Sequence, residues 1–577
     1  MNNNHRTYVS NILVIGSGAA GMRAAIAGFE AGKDVVIVGK RTRRDAHTVL
    51  AAGGINAALG TVDPEDSWQQ HFVDTLKEGY LLSDPRTVEL MAREAPTAIE
   101  ELEAYGVDFA RTPDGDIDQR YFGAHKYRRT AYVGDSTGRA VLYGLADRVE
   151  ELDIPIHENQ YVSRLLVKNG ICFGAMSFNL HSGERTVYLA DAVVLAAGGH
   201  TRLWRRSSSR ALENTGDGMY LALAAGGEIA DMELVQFHPT GMVAPESMLG
   251  TLVTEAVRGE GGRLYNANGE RYMSRYDAER MELSTRDRVA LANYTEITEG
   301  RGGPNGGVFL DISHRSKEYI LEKLPRMYEQ FMDAQNIDIS KEPMEVAPTA
   351  HYTMGGVVVE PDTHATSIVG LYAAGETTSG LHGANRLGGN SLAETVVFGR
   401  RAGEAAAAFA DEIDAQVRGR AVVQIAHDDL NRFNHAGSES AVDLLQAVRE
   451  VMWQYCGVVR TEAKLQRGLD ELNALKANLP NVNVGDSMQL AQALDLRASI
   501  VSAESTLRGA LERRESRGAH QRVDYPDMNE QLNVNFVMRL DENGEQVLST
   551  QNVPPVPEDL RTWLTDEEFE IEGRLLE

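Results

Sequence analysis

The first sustained apolar run, Ile12-Leu13-Val14-Ile15, stops at a glycine-rich turn, Gly16 to Gly21. An alanine-rich stretch then runs to about Gly32, and a second apolar run, Val35-Val36-Ile37-Val38, follows. Two short apolar runs flanking a helix-compatible segment predict a βαβ opening. Two later runs, Ala192-Val193-Val194-Leu195 and Gly370-Leu371-Tyr372-Ala373, are each followed by small residues and predict returns to the same sheet. The stretch between them, Phe237 to about Thr349, reads as an inserted unit. Beyond about Gly403 the period changes: Ala441 to Gln454, Thr461 to Leu479 and Met488 to Arg514 repeat apolar residues at spacings of three and four, which predicts helices. Pro554-Pro555-Val556-Pro557 and the acidic Asp566-Glu567-Glu568 predict an extended tail. The expected fold class is α/β, a Rossmann-like domain (residues 1–236 and 350–420) interrupted by an α+β capping domain (237–349). A helical domain (421–545) and a C-terminal tail (546–577) complete the expected order, without internal repeats.

Composition narrows the classes. With 57 basic and 84 acidic side chains the formal charge is −27, which argues against a nucleic-acid partner. Hydrophobic residues make up 42% and charged residues 24%, a globular mixture for a chain of 577 residues. Its two cysteines, Cys172 and Cys456, are too few for a disulfide framework or a four-thiolate cluster, so any iron–sulfur centre is expected in a partner. The longest apolar stretches fall short of the roughly 18 residues of a membrane span. The segment before Thr7 has no secretory or transit-peptide pattern, so a membrane association is expected to come through other subunits.

Gly16-Ser17-Gly18-Ala19-Ala20-Gly21, between strand and helix, fits the dinucleotide fingerprint, in which glycines permit the tight turn and bring pyrophosphate close to a helix N-terminus. The acidic residue that usually closes the second strand is missing, since that stretch reads Val38-Gly39-Lys40-Arg41. This points away from simple NAD binding and toward a specialised FAD site.

The next segment, Ala46-His47-Thr48-Val49-Leu50-Ala51-Ala52-Gly53-Gly54, resembles the His-Thr-Val-x-Ala-x-Gly-Gly run of the flavoprotein subunits of succinate dehydrogenases and fumarate reductases. The resemblance extends from about Asn11 to Tyr525 through Gln236-Phe237-His238-Pro239-Thr240-Gly241, Thr254 to Gly262, Arg286-Asp287, Ala350 to Gly356 and His382 to Ser391. It implies FAD bonded covalently to His47, with further cofactor contacts from Lys40, Thr48, Gly53, Gly54, Asp217, Glu376, Asn390, Ser391 and Leu392. It also implies that Arg386, His238, His351 and Thr254 hold a C4 dicarboxylate, with Phe122 packed beside it. Arginine forks and neutral donors suit two carboxylates.

The same resemblance makes Arg286 the proton carrier and Arg258 and Glu255 its relay. A free guanidinium cannot act as a base near neutral pH, so the role needs neighbouring cations, a dry site and a carboxylate to receive the proton. The expected activity is oxidation of succinate to fumarate, with electrons leaving through an iron–sulfur subunit toward quinone. Fumarate reduction, or an L-aspartate oxidase-like reaction, is the alternative. Membrane-anchor subunits and a peripheral position on the cytoplasmic face of a prokaryotic inner membrane are implied as well. Two departures stand out. Ala52 occupies the position where the dehydrogenases tend to carry Gln and the quinol-linked reductases Glu, so the usual hint of direction is absent. Phe122 stands where aspartate oxidases, which generally lack the linking histidine, carry Glu for the substrate amino group.

Overall fold

The computed structural model describes residues 5–413, 418–433 and 435–564. The four apolar runs lie in one parallel sheet, ordered Leu371–Ala373, Ala192–Leu195, Ile12–Ile15, Val35–Val38, with Ile156–His157 at its edge. The strands are buried throughout, which is why they read as unbroken apolar runs rather than alternating ones. Helix α1 (Ala19–Glu30) follows the first turn. Gly16 sits at φ +124° with space for no side chain, because a Cβ there would lie 2.0 Å from the carbonyl oxygen of Ala196. Helix α2 (Arg286–Glu296) belongs to the inserted unit, and helix α3 (Asn390–Glu412) lies against α1. Gly403 allows that approach, since a Cβ on it would be 2.2 Å from the Ala24 carbonyl oxygen. The close packing brings the N-termini of α1 and α3 to one cleft at the C-terminal ends of the parallel strands, where ligands of open α/β sheets bind.

A second sheet, Arg6–Val9, Arg185–Leu189, Ile171–Asn179 and Gln160–Lys168, backs this layer. The inserted unit is built on an antiparallel sheet, Val235–Met242, Met344–Thr353, Val308–Asp311 and Arg263–Tyr265, over a core that includes Met242, Leu264, Val289, Leu310 and Phe331. The expected limits of 237 and 349 fall inside its two long strands, which run into the first domain without a break. The helical period is present as Ala441–Tyr455, Glu462–Lys476 and Ser487–Glu512. Ser440, Thr461 and Asp486 cap them by accepting from Asp443, Lys464 and Gln489 N–H.

The C-terminal end differs from the expectation. Val534–Leu540 and Gln546–Asn552 form a hairpin that pairs with Ile229–Ala230, so the end of the expected helical domain and the start of the expected tail add strands to the first domain. Phe536, Val537 and Met538 are buried there, and Asn543-Gly544 supplies the turn residues. Leu560, in the stretch expected as tail, is also in the core. The acidic Asp566-Glu567-Glu568 lies outside the described residues.

Candidate active site

One cleft, about 1900 Å³ to its open mouth, runs from Lys40 and Asp217 past the glycine turn to His47, Glu376 and Ser391, and on to Phe122, Thr254, Arg286 and Arg386. At its first end Lys40 Nζ lies 2.9 Å from Asp217 and 3.4 Å from Asp495. Burial works against the ammonium charge, but Asp217 and Asp495 outweigh it and raise the pKa of Lys40. Asp217 Oδ1 is buried without a hydrogen-bond partner. Gly18 and Gly389 start α1 and α3 without side-chain caps. Thr48 reaches over from the next loop and accepts from Ala19 N–H at 3.2 Å.

A ribose or hydroxyl donor opposite Asp217, and phosphates at the exposed N–H groups of α1, would satisfy these groups. The residues therefore fit a dinucleotide. Gly21 is close-packed against the turn and does not face the cleft. Asn390 is the other expected contact that the cleft does not include: its side chain is committed to Asn56, His71 and Thr75. Gly389, Ser391 and Leu392 beside it do line the wall.

The expected covalent residue, His47, opens a short helix, His47–Leu50, and its Nδ1 lies 3.1 Å from Glu213 Oε1. Burial pulls its pKa down, but the bonded Glu213 carboxylate turns the balance and raises it. Glu376 accepts from the N–H of Thr353 at 3.1 Å, and burial pushes its carboxyl up to about 7.

Beyond Gly53 the cleft becomes cationic. A bulged antiparallel register sets His238 opposite Thr349 and brings its ring centroid 5.2 Å from that of His351. Burial and then the surrounding charged side chains hold both imidazoles well below their usual pKa, so they are neutral. The N–H of Thr240 donates to His238 Nδ1 at 3.3 Å, and His351 Nδ1 lies 3.0 Å from Ser208 Oγ. Nε2 of each ring keeps no partner among the described residues. Thr254 is buried nearby on the cleft wall. Phe122 packs on Gly53, where an added Cβ would stand 2.6 Å from its ring.

Arg286 is the first residue of α2, a cation at the positive end of a helix. Glu255 offsets that placement, with its Oε2 2.6 Å from Arg286 Nη2 and 2.7 Å from Nε. Burial would raise the pKa of Glu255, but Arg286 and Arg258 bring it down to about 2. Arg258 Nη2 stands 3.7 Å from Glu255 Oε1. Arg386 lies 4.3 Å over the Tyr352 ring, its Nε buried without a partner. Burial and then the Arg286 charge lower its pKa to about 9. Gln236 joins the two cations: its Oε1 accepts from Arg286 Nη1 and from Arg386 Nη2, each at 3.1 Å.

The structure thus brings together Arg286, Glu255, His238, Thr254, His351, Arg386 and Phe122 around one space beside the dinucleotide cleft. Arg258 does not line that space and lies buried behind Glu255. Sequence reasoning passed over Gln236, although it stands in a quoted motif, and Glu213, which had no motif to announce it.

Known proteins resemble this chain over most of its length. Residues 11–392 match the FAD binding domain family, and residues 445–559 match the fumarate reductase flavoprotein C-terminal family. A fumarate reductase (CoM/CoB) subunit of Methanothermobacter marburgensis is 44% identical over 90% of this chain and 95% of its own length. A succinate dehydrogenase flavoprotein subunit of Rickettsia bellii is 37% identical over 94% and 95%. The solved structure of Mycobacterium smegmatis Sdh1 in complex with UQ1 superposes with a TM-score of 0.87 at 40% identity, covering 98% of each chain.

Proposed function

Because the chain belongs to the family of flavoprotein subunits of succinate dehydrogenases and fumarate reductases and is an FAD-dependent oxidoreductase, we propose that it oxidises succinate to fumarate. The observation that carries this reading is the pairing of Arg286 with Glu255 at 2.6 Å beside Arg386 and two neutral histidines, all facing one space next to the dinucleotide cleft. Arg386 pairs with one carboxylate of the substrate, while His238, His351 and Thr254 donate to the other. Phe122 closes the apolar middle of the molecule and offers nothing to an ammonium group, which favours a plain dicarboxylate over aspartate.

Bound FAD supplies the hydride acceptor, and His47 is its covalent anchor in this reading. The chain's own part is to fix the dicarboxylate, exclude water and move a proton. Glu255, kept ionised by its two arginine neighbours, takes an N–H proton from Arg286 across the 2.6 Å contact as Arg286 takes the proton from the methylene carbon opposite the one that gives up hydride, so the guanidinium charge is restored. Arg258 stands next in line at 3.7 Å from Glu255. The same path run backwards protonates the carbon when fumarate is reduced.

Fumarate reduction as the physiological direction is a second reading, favoured by the 44% identity to the Methanothermobacter marburgensis fumarate reductase protein. Electron exit through an iron–sulfur subunit is supported by the two cysteines of this chain being buried and free. No helix among the described residues is long and apolar enough to cross a membrane; attachment through membrane-anchor partners at the cytoplasmic face of a prokaryotic inner membrane belongs to this reading through the family alone. Initial rates in both directions with artificial electron carriers, and iron content of the co-purified complex, test the reading. Turnover of L-aspartate in place of succinate would overturn it.

A further inference from the structure

Glu213 lies between the strand Ala192–Leu195 and the helix Asp217–Ala224, far in sequence from the histidine it meets. Its carboxylate is held on every side. Oε1 accepts from the N–H of Arg210 at 2.8 Å and from its Nε at 3.0 Å; Oε2 accepts from Arg210 Nη2 at 3.1 Å and lies 3.0 Å from Arg41 Nε. These contacts make it a fixed, ionised group whose remaining partner is His47 Nδ1 at 3.1 Å. Arg210 is itself tied to Asp45, two residues before His47, so the anchor and the histidine loop move as one piece.

A carboxylate bonded to one imidazole nitrogen places the hydrogen there and leaves the lone pair on the other. With Nδ1–H directed at Glu213, Nε2 keeps no partner among the described residues and is the ring atom free to react. We propose that Glu213 is a positioning residue for attachment of the flavin to His47: it sets the tautomer and stabilises the cation that attachment creates. This rests on the reading of His47 as a covalent anchor.

In the attachment a C–H bond of the flavin 8α-methyl group breaks and its proton leaves. The Nε2 lone pair forms the new N–C bond, and the electron pair of the broken bond enters the flavin ring system. An unsaturated dicarboxylate such as fumarate then takes that pair. Overall, oxidised FAD, neutral His47, fumarate and one proton give oxidised histidyl-FAD with one positive charge, and succinate. The positive charge resides on the alkylated imidazole, whose Nδ1–H still faces Glu213.

The test uses the full-length chain and its Glu213→Ala and Glu213→Gln variants, with FAD and fumarate supplied. Acid precipitation separates attached from released FAD, and native gel filtration gives total FAD. Glu213→Ala should retain bound FAD but attach it about tenfold or more slowly, by analogy with the loss seen when the outer hydrogen-bond partner of a metal-ligating imidazole is removed. Glu213→Gln, which keeps an acceptor but no charge, should fall between the two. Attachment should increase with pH as the imidazole loses its second proton, and the Ala variant should shift that limb to lower pH, because burial and the Arg210 charge lower the His47 pKa and, of the two carboxylates that raise it, the bonded Glu213 is gone and only Glu376 remains. Attachment at the parent rate and with the parent pH profile in both variants would overturn the assignment. Loss of all FAD binding in both would reduce Glu213 to a structural anchor and overturn it equally. Complete acid release of FAD from the parent protein would instead refute the covalent reading of His47.

Discussion

Gln236 Oε1 lies 3.1 Å from Arg286 Nη1 and the same distance from Arg386 Nη2, so one neutral amide oxygen joins the proposed proton carrier to the proposed carboxylate fork. Its amide nitrogen donates to Asn385 Oδ1 and to the Arg386 carbonyl oxygen, each at 2.8 Å, which fixes which end of the side chain faces the cations. A carboxylate in its place would compete with the substrate for both guanidinium groups. Gln236→Glu should therefore raise the KM for succinate by about tenfold or more, equivalent to about 1.4 kcal/mol. Gln236→Leu should instead lower kcat by releasing Arg286 from its set position. Steady-state kinetics of the two variants, with FAD content as the folding control, checks the split.

Substrate affinity should also depend on pH through Arg386. Burial and the Arg286 charge bring its pKa to about 9, so it is charged below that value and loses its charge as pH rises through it. The KM for succinate should be flat from about pH 7 to 8 and climb above about pH 9. Arg386→Lys, with its shorter reach and no fork, should raise KM at every pH.

Phe122 makes a prediction about substrate choice. An ammonium group beside that ring would be buried without a partner, at a cost of several kcal/mol or about a thousandfold in rate. L-Aspartate should give no measurable turnover where succinate does. Comparable rates for both in a dye-coupled assay would show that the ring does not select.

His47→Ser should fold and bind FAD, since the glycine turn, Asp217, Glu376 and the N-termini of α1 and α3 remain. Its FAD should be released by acid. The histidyl link raises the flavin potential in the family that the motif resembles, so succinate oxidation should fall much more than dye-driven fumarate reduction. Acid-released FAD and initial rates in each direction, for parent and variant, measure both effects.

The parallel sheet was legible because strands buried on both faces leave unbroken apolar runs, and the three long C-terminal helices because their period repeats for about four to seven turns. The hairpin Val534–Asn552 was not: its second strand, Gln546–Asn552, is mostly exposed and largely polar, and pairing with Val534–Leu540 gives it a place. Most of the site residues expected from the glycine turn and the charged motifs line the candidate cleft, whereas Gly21 is close-packed against the turn and the Asn390 side chain is bonded to Asn56 and His71. Glu213 was invisible for a different reason. Its meaning is a contact across 166 positions, and a lone acidic residue in a loop carries no sign of its partner.

The most direct test of the account is anaerobic mixing of the oxidised enzyme with succinate, followed by the flavin absorbance, in the parent and in Arg286→Lys. Succinate should bleach the parent flavin and fumarate should restore it. Arg286→Lys should bind the dicarboxylate yet bleach at least about a thousandfold more slowly, a barrier increase of about 4 kcal/mol, while dithionite still reduces it. A parent flavin that neither succinate reduces nor fumarate reoxidises, or an Arg286→Lys protein that reacts at the parent rate, would contradict the account.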